Sequence, residues 1–251
     1  MVTLKSPREI DIMARAGSIV GATLELVRSR VRPGMSTEEL DAAAERFIRS
    51  HPGASPSFKG LYGFPKSLCI SINEEIVHGI PSPRRILREG NIVSVDVGVH
   101  LDGYHADAAT TIPVGAVSPD AARLLAVTQE ALAAGIDQAK VGNHIGDIGH
   151  AVQTVAEAAG FGVVRELVGH GVGQRMHEDP QVPNHGQPRR GPRLQVGMTL
   201  AIEPMITLGD YATRMLDDKW TVVTADGSLS AHFEHTVAIT REGPRILTKA
   251  A

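Results

Sequence analysis

The sequence predicts an α+β fold of two α/β halves related by a pseudo-twofold, with a central, mainly antiparallel sheet flanked by helices. Three observations lead there. A Ser-Pro helix start occurs at Ser6-Pro7 and again, 112 residues later, at Ser118-Pro119. A glycine-led apolar run closed by an acid occurs at Gly90–Asp96 and, offset by 107 residues, at Gly197–Glu203. Between two β-type runs, Asp102-Gly103 supplies the φ > 0 pair that a tight type I′ hairpin turn needs. Self-similarity at a fixed offset sets architecture before detail, and here it implies a site between the halves. No linker, low-complexity stretch or shift in composition divides the chain. A single domain over 1–251 is therefore expected, with halves at about 6–114 and 118–247.

The elements follow in order. Ser6 as N-cap, Pro7 at N1 and Glu9 at N3 form a capping box. Ile10, Met13, Gly17, Val20, Leu24 and Val27 then recur at helical spacing until Arg32-Pro33-Gly34. A second helix starts at Ser36 or Thr37, buries Leu40, Ala44, Phe47 and Ile48, and ends at Pro52-Gly53. A strand is expected near 67–72. Ile92–Val97 is a nearly unbroken β-branched run, the pattern of a strand covered on both faces, and Tyr104–Val114 returns as its partner. Ser118 opens a helix through Leu124, Leu125, Thr128 and Leu132. Another spans about 146–159 with Ile148, Val152 and Val155 on one face. The run Thr199–Ile202 is a strand closed by Glu203.

Composition narrows the class. The chain has 251 residues, 42% hydrophobic and 21% charged, with a formal net charge of −3. That is ordinary globular composition, and nothing in it points to a nucleic-acid or anionic-membrane partner. One cysteine, Cys69, excludes an intrachain disulfide and suits a reducing compartment. Charged residues Arg8, Glu9, Asp11 and Arg15 interrupt the first segment, so no signal core is expected. No stretch approaches the ~20 apolar residues of a spanning helix. A cytoplasmic protein is expected.

The hairpin carries the first chemical signal. A two-residue turn places Leu101 opposite Tyr104 and Asp107 opposite Gly98, on the face that carries Asp96. The two carboxylates are then diagonal neighbours, roughly 5–8 Å apart at Cβ. Like charges on one buried face repel and are costly to desolvate. A cation between them relieves this, as would exposure of the face or an arginine beside each acid. Glu203 occupies the place of Asp96 in the second half, although a Glu at a strand end is commonly solvated. Glu234 shares a strand face with Thr236 and Ala238. Among eleven histidines, His170 stands out because glycines flank it in Gly169-His170-Gly171, and His177 follows in Met176-His177-Glu178-Asp179-Pro180. Four carboxylates and one imidazole make an oxygen-rich donor set. It suits Mn²⁺, Fe²⁺ or Co²⁺, admits Zn²⁺, and fits two ions about 3.5–4 Å apart.

These motifs, with His78-Gly79-Ile80-Pro81, Asp102-Gly103-Tyr104-His105-Ala106-Asp107, Ile202-Glu203-Pro204-Met205 and Phe233-Glu234-His235-Thr236, resemble type I methionine aminopeptidases in their short bacterial form. The resemblance covers Ser6 to Leu247 in order. It implies the pita-bread fold and removal of the initiator methionine from nascent proteins whose second residue is small. It implies two divalent ions (cobalt, manganese, iron or zinc), with Asp96 on one, Asp107 and Glu234 bridging, and His170 and Glu203 on the other. Glu203 would also shuttle a proton, His177 would stabilise the oxyanion, and His78 would contact the scissile amide or leaving group. Phe58, Leu61, Phe64, Cys69, Met176 and Trp220 would line the methionine pocket. The family often carries cysteine at Phe58, tyrosine at Leu61 or Phe64 and a bulkier aromatic at Met176, so the pocket is where this chain departs from it. The family further implies a monomer, transient ribosome contact through Arg189, Arg190 and Arg193, and no specific nucleic acid or membrane partner. The competing readings are an X-Pro peptidase of the same fold and a non-catalytic binding protein that has lost the ligands.

Overall fold

A computed structural model describes residues 2–250. The first half contains α1 (Pro7–Arg30), α2 (Thr37–Arg49), β1 (Ser55–Pro56), β2 (Leu68–Ile72), β3 (Glu75–Val77), β4 (Ile92–Leu101) and β5 (Tyr104–Pro113). The second opens with α3 (Pro119–Gln138), α4 (Ile145–Ala158), β6 (Gly162–Val163), β7 (Gly169–Gly171), β8 (Glu178–Val182) and β9 (Thr199–Ile202). It continues with β10 (Met205–Thr207), β11 (Thr213–Met215), β12 (Val222–Thr224), β13 (Ser230–His232), β14 (His235–Thr240) and β15 (Gly243–Ile246).

Local chemistry starts the helices where the sequence said. Ser6 Oγ accepts the Glu9 N–H at 3.4 Å while Glu9 Oε2 accepts the Ser6 N–H at 2.7 Å. Ser36 and Glu39 repeat this capping box on α2, and Ser118 Oγ accepts the Ala121 N–H at 3.1 Å to open α3. Each such cap contributes on the order of 1 kcal/mol. Among the described residues, no helix is long and apolar enough to cross a membrane.

Every strand pair is antiparallel. In the first half β4 is central, with β5 along one edge and β2 and β1 along the other. In the second half the order is β15-β14-β9-β7-β8. Both halves thus place two helices over a hairpin-like strand pair, β4–β5 in one and β9–β14 in the other. Each half has its own core. Val20, Leu24 and Leu40 of the first two helices pack on Val93, Val95 and Val97. Leu124, Ile148 and Val152 of the next two pack on Leu200, Ile202 and Val237.

The halves join along β5 and the approach to β14. The Glu234 N–H donates to the Ala109 carbonyl at 2.9 Å, and the Thr111 hydroxyl donates to the His232 carbonyl at 2.8 Å. Residues beyond β15 then cross α1. The Leu247 N–H donates to the Thr236 carbonyl at 2.9 Å. The strap fits because α1 offers glycines there: a Cβ at Gly17 would lie 2.2 Å from the Leu247 carbonyl oxygen, and one at Gly21 would lie 2.4 Å from the Ala250 nitrogen.

Candidate metal centre

The hairpin register is the one the turn predicts. Leu101 pairs with Tyr104 and Gly98 with Asp107, and both turn residues have positive φ (49° at Asp102, 85° at Gly103). Asp96 and Asp107 therefore share a face. Gly98 lies between them in register, and its missing side chain matters, since a Cβ there would meet Phe58 Cε1 at 2.9 Å. The glycine lets an apolar ring lie directly against the acidic strand pair.

Glu203 follows the end of β9 and Glu234 precedes β14, so the second pair of acids sits at the open end of the equivalent strand pair. One ligand atom each from Asp107, His170 and Glu234 lies within 4.8 Å of the others. His170 Nε2 is 3.4 Å from Asp107 Oδ2 and 3.6 Å from Glu203 Oε1. Its Nδ1 is 2.9 Å from the Gly171 carbonyl. A carbonyl only accepts, so Nδ1 carries the proton and Nε2 is the atom presented to the carboxylates. A backbone bond that fixes the tautomer in this way is the usual support for a metal-ligating histidine.

The electrostatics favour a cation here. Burial, with Asp107 and Glu203 close by, pushes the Asp96 carboxyl well above its ordinary range. Burial together with Asp107, Glu203 and Asp96 does the same to Glu234. Burial also opposes ionisation of Asp107. There it is outweighed by the hydrogen bond and charge of His170 and by the Thr236 hydroxyl, and the group titrates below its ordinary value. His170 is raised to about 9: burial pulls it down, and Asp107 and Glu203 more than reverse that. Asp96 Oδ1 is buried without a hydrogen-bond partner. An orphaned oxygen, three further acids and a lone-pair nitrogen facing them form a donor set that fits divalent cations.

The acids floor a cavity of about 600 Å³. Its wall includes Phe58, Leu61, Phe64, Cys69 and Trp220, with His78 and His177 among the polar groups. Phe64 and Trp220 meet edge to face at 5.1 Å. Burial and the neighbouring Asp96 push the Cys69 thiol up, so it packs as a neutral thiol. Burial lowers the His78 imidazole. The His177 ring packs edge-on against His170 at 4.4 Å. Met176 is buried in the same apolar cluster as Phe58, Phe64 and Cys69, but it does not line the cavity. Val77, Leu167 and Met205 do line it.

Several residues at the site are not among those the sequence assigns a role. His232 is buried, with Nε2 lacking a hydrogen-bond partner and 3.6 Å from Glu203 Oε2. Asn184 Nδ2 donates to the Glu203 carbonyl at 2.9 Å and fixes that strand end. Thr236 Oγ1 accepts the Asp107 N–H at 3.0 Å and stands within donating distance of both Asp107 Oδ1, at 2.9 Å, and the Asp107 carbonyl, at 2.8 Å. Tyr62 stacks on His177 at 5.8 Å from a left-handed backbone. Of these, His232 and Thr236 stand within two residues of Glu234, and proximity to a ligand was the signal that could have found them.

Comparison with known proteins agrees with this geometry. The chain matches metallopeptidase family M24 over residues 11–241. It is 56% identical to the methionine aminopeptidase of Clostridium perfringens, over 99% of each chain. Methionine aminopeptidase 1 of Bacillus subtilis is 54% identical, over 99% of this chain and 100% of that one. The crystal structure of methionine aminopeptidase from Thermotoga maritima superposes with a TM-score of 0.97 at 44% identity, covering 99% of this chain and all of that one. The prolidase of Pyrococcus horikoshii shares the fold alone, with a TM-score of 0.80 at 23% identity over 64% of its length. A doubled α/β frame, a carboxylate and imidazole nest between its halves and a likeness to these enzymes that spans nearly the whole chain place it in metallopeptidase family M24, among the methionine aminopeptidases of pita-bread fold.

Proposed function

We propose that the protein hydrolyses the first peptide bond of polypeptides that begin with methionine, when the second residue is small. The observation that carries this is the meeting of two environments in one cavity: an acid nest that suits divalent cations and, against it, an apolar wall of Phe58, Leu61, Phe64, Cys69 and Trp220. Asp96, Asp107, His170, Glu203 and Glu234 are the residues that would hold two ions, of manganese, iron, cobalt or zinc. Bound there, such ions supply Lewis-acid polarisation of the carbonyl and acidify water. The side chains do the rest. Phe58, Leu61, Phe64, Cys69 and Trp220 receive the methionine side chain and exclude water from it. Met176 supports that wall from behind. Glu203 takes a proton from the attacking water and returns it to the departing amine. His177 donates to the carbonyl oxygen as charge develops on it, and His78 contacts the scissile nitrogen.

The protein is further read as a monomeric, cytoplasmic enzyme of one domain that meets its substrates as they leave the ribosome. Arg189, Arg190 and Arg193 are exposed on one loop and suit such a contact, which co-sedimentation with ribosomes at low salt would detect. The activity is tested by supplying Mn²⁺ or Co²⁺ and comparing Met-Ala-Ser with a Leu-Pro peptide. Release of methionine with little action on Leu-Pro is expected. Preference for the proline substrate would overturn the reading in favour of a prolidase-like activity.

A further inference from the structure

The loop that presents His177 has no regular secondary structure, and at its end a buried ion pair joins it to the N-terminal segment. Lys5 and Glu178 have side chains only 3% and 6% exposed, and Lys5 Nζ lies 2.7 Å from Glu178 Oε2. The Lys5 backbone is itself anchored, its N–H donating to the Gly197 carbonyl at 2.7 Å. The other oxygen of Glu178 turns back into the loop, where Oε1 accepts the Arg175 N–H at 3.1 Å. That bond closes residues 175–178, the segment that holds Met176 in the apolar cluster and His177 at the cavity. Gly173 makes room for the arrangement. A Cβ there would meet Lys5 Cε at 2.5 Å, Glu178 Oε1 at 2.7 Å and Lys5 Nζ at 2.8 Å.

We propose that Lys5 and Glu178 are positioning residues for catalysis: Glu178 clamps the His177 loop through the Arg175 N–H, and Lys5 neutralises the clamp from beneath. The inference rests on the role given to His177 above. A buried ion pair is weak evidence of stability in itself, because two apolar side chains of similar size commonly pack as well. What such a replacement cannot supply is an acceptor for the Arg175 N–H. Loss of Lys5 leaves the carboxylate without its counter-charge, and because Glu178 borders the cavity it turns toward water there and releases the Arg175 N–H, which a neutral glutamine has no charge to drive it to do. Misplacement of a catalytic group by about 1 Å can cost on the order of 10²-fold in rate, and a defect of about tenfold or more in kcat is expected here.

Three variants separate placement from stability: Lys5→Met, Lys5→Met/Glu178→Gln and Lys5→Met/Glu178→Met. The glutamine keeps the acceptor without the charge, whereas the methionine removes both. Lys5→Met should lower kcat more than it raises KM, with Mn²⁺ affinity unchanged. The Gln double variant should regain kcat. The Met double variant should regain thermal stability but not kcat. The His177 ring resonances, assigned by their loss in His177→Ala, should shift in Lys5→Met and return in the Gln double variant. Equal recovery of kcat in both double variants, or unmoved ring resonances in Lys5→Met, would overturn the proposal. If Lys5→Met does not fold, the two double variants decide it between them. Wild-type kcat in His177→Ala would instead remove the role of His177 and leave the clamp to be judged by the ring resonances.

Discussion

Asp107 owes its orientation to a hydroxyl from the other half of the molecule. Thr236 is fully buried and bonds both the Asp107 carboxylate and its backbone N–H. Thr236→Val keeps the volume, removes both bonds and strands a buried N–H. Loss of such an outer partner typically weakens metal binding 10- to 100-fold, and calorimetric titration with Mn²⁺ should show a fall in that range. Unchanged affinity would mean that backbone placement alone orients Asp107. Residues of this kind were the least legible in the sequence. Asp96 and Asp107 could be placed because a tight turn and a period of two fix their face. Glu203 could be placed because it repeats Asp96. His170 and Glu234 rested on resemblance, since long-range packing brings them in from β7 and from the approach to β14. Thr236, His232 and Asn184 matter only through contacts that no local pattern records.

At the scale of elements, patterning carried most of the fold. Helices α1 to α4 and the β4–β5 hairpin lie where capping residues, apolar spacing and turn chemistry put them, because those signals act within a few residues. Of the short strands β6 to β13, only β9 is legible in the sequence, through its likeness to Gly90–Asp96. Several have only two or three residues, too few for alternation to register, and partners distant in sequence hold them. The packing of α1 against the final strap is likewise invisible in helical periodicity. Gly17 reads as part of an apolar stripe, yet a side chain there would strike backbone. Gly17→Ala gains about 1 kcal/mol of helix propensity, but the overlap with Leu247 forces the strap to move, at a typical cost of about 1–3 kcal/mol. Net destabilisation in urea unfolding is expected. A stabilised variant would show that the strap yields freely.

For the whole molecule, the metal centre couples stability to pH. Without metal, the raised pKa values of Asp96 and Glu234 stabilise the fold most fully below the ordinary carboxylate pKa of about 4, and that contribution is lost as pH rises through their folded-state values. His170, raised to about 9 from 6.5, acts in the same sense, its share present below 6.5 and gone by about 9. Asp107 runs the other way, since its lowered pKa costs stability only as pH falls through the acid range. Burial lowers the imidazoles of His78, His105, His177 and His235, which act in the opposite sense only below about pH 6.5, so metal-free protein should lose melting temperature from about pH 6.5 to about pH 9. Saturating Mn²⁺ should flatten or reverse that slope and, at a hundredfold excess over Kd, add about 2.7 kcal/mol. A metal-free melting temperature independent of pH across this window would contradict the assigned nest.

The division of the ligands between two separately packed halves also bears on how the molecule is made. Synthesis and folding proceed from the N-terminus, so the first half can pack its own core while it holds only Asp96 and Asp107. Those two acids then sit together on a finished sheet face, repelling each other before His170, Glu203 and Glu234 have arrived. The candidate ligand set is complete only when the approach to β14 docks and brings in Glu234. The full donor set thus exists only once the second half has folded, which would make complete metal capture a late event in biogenesis.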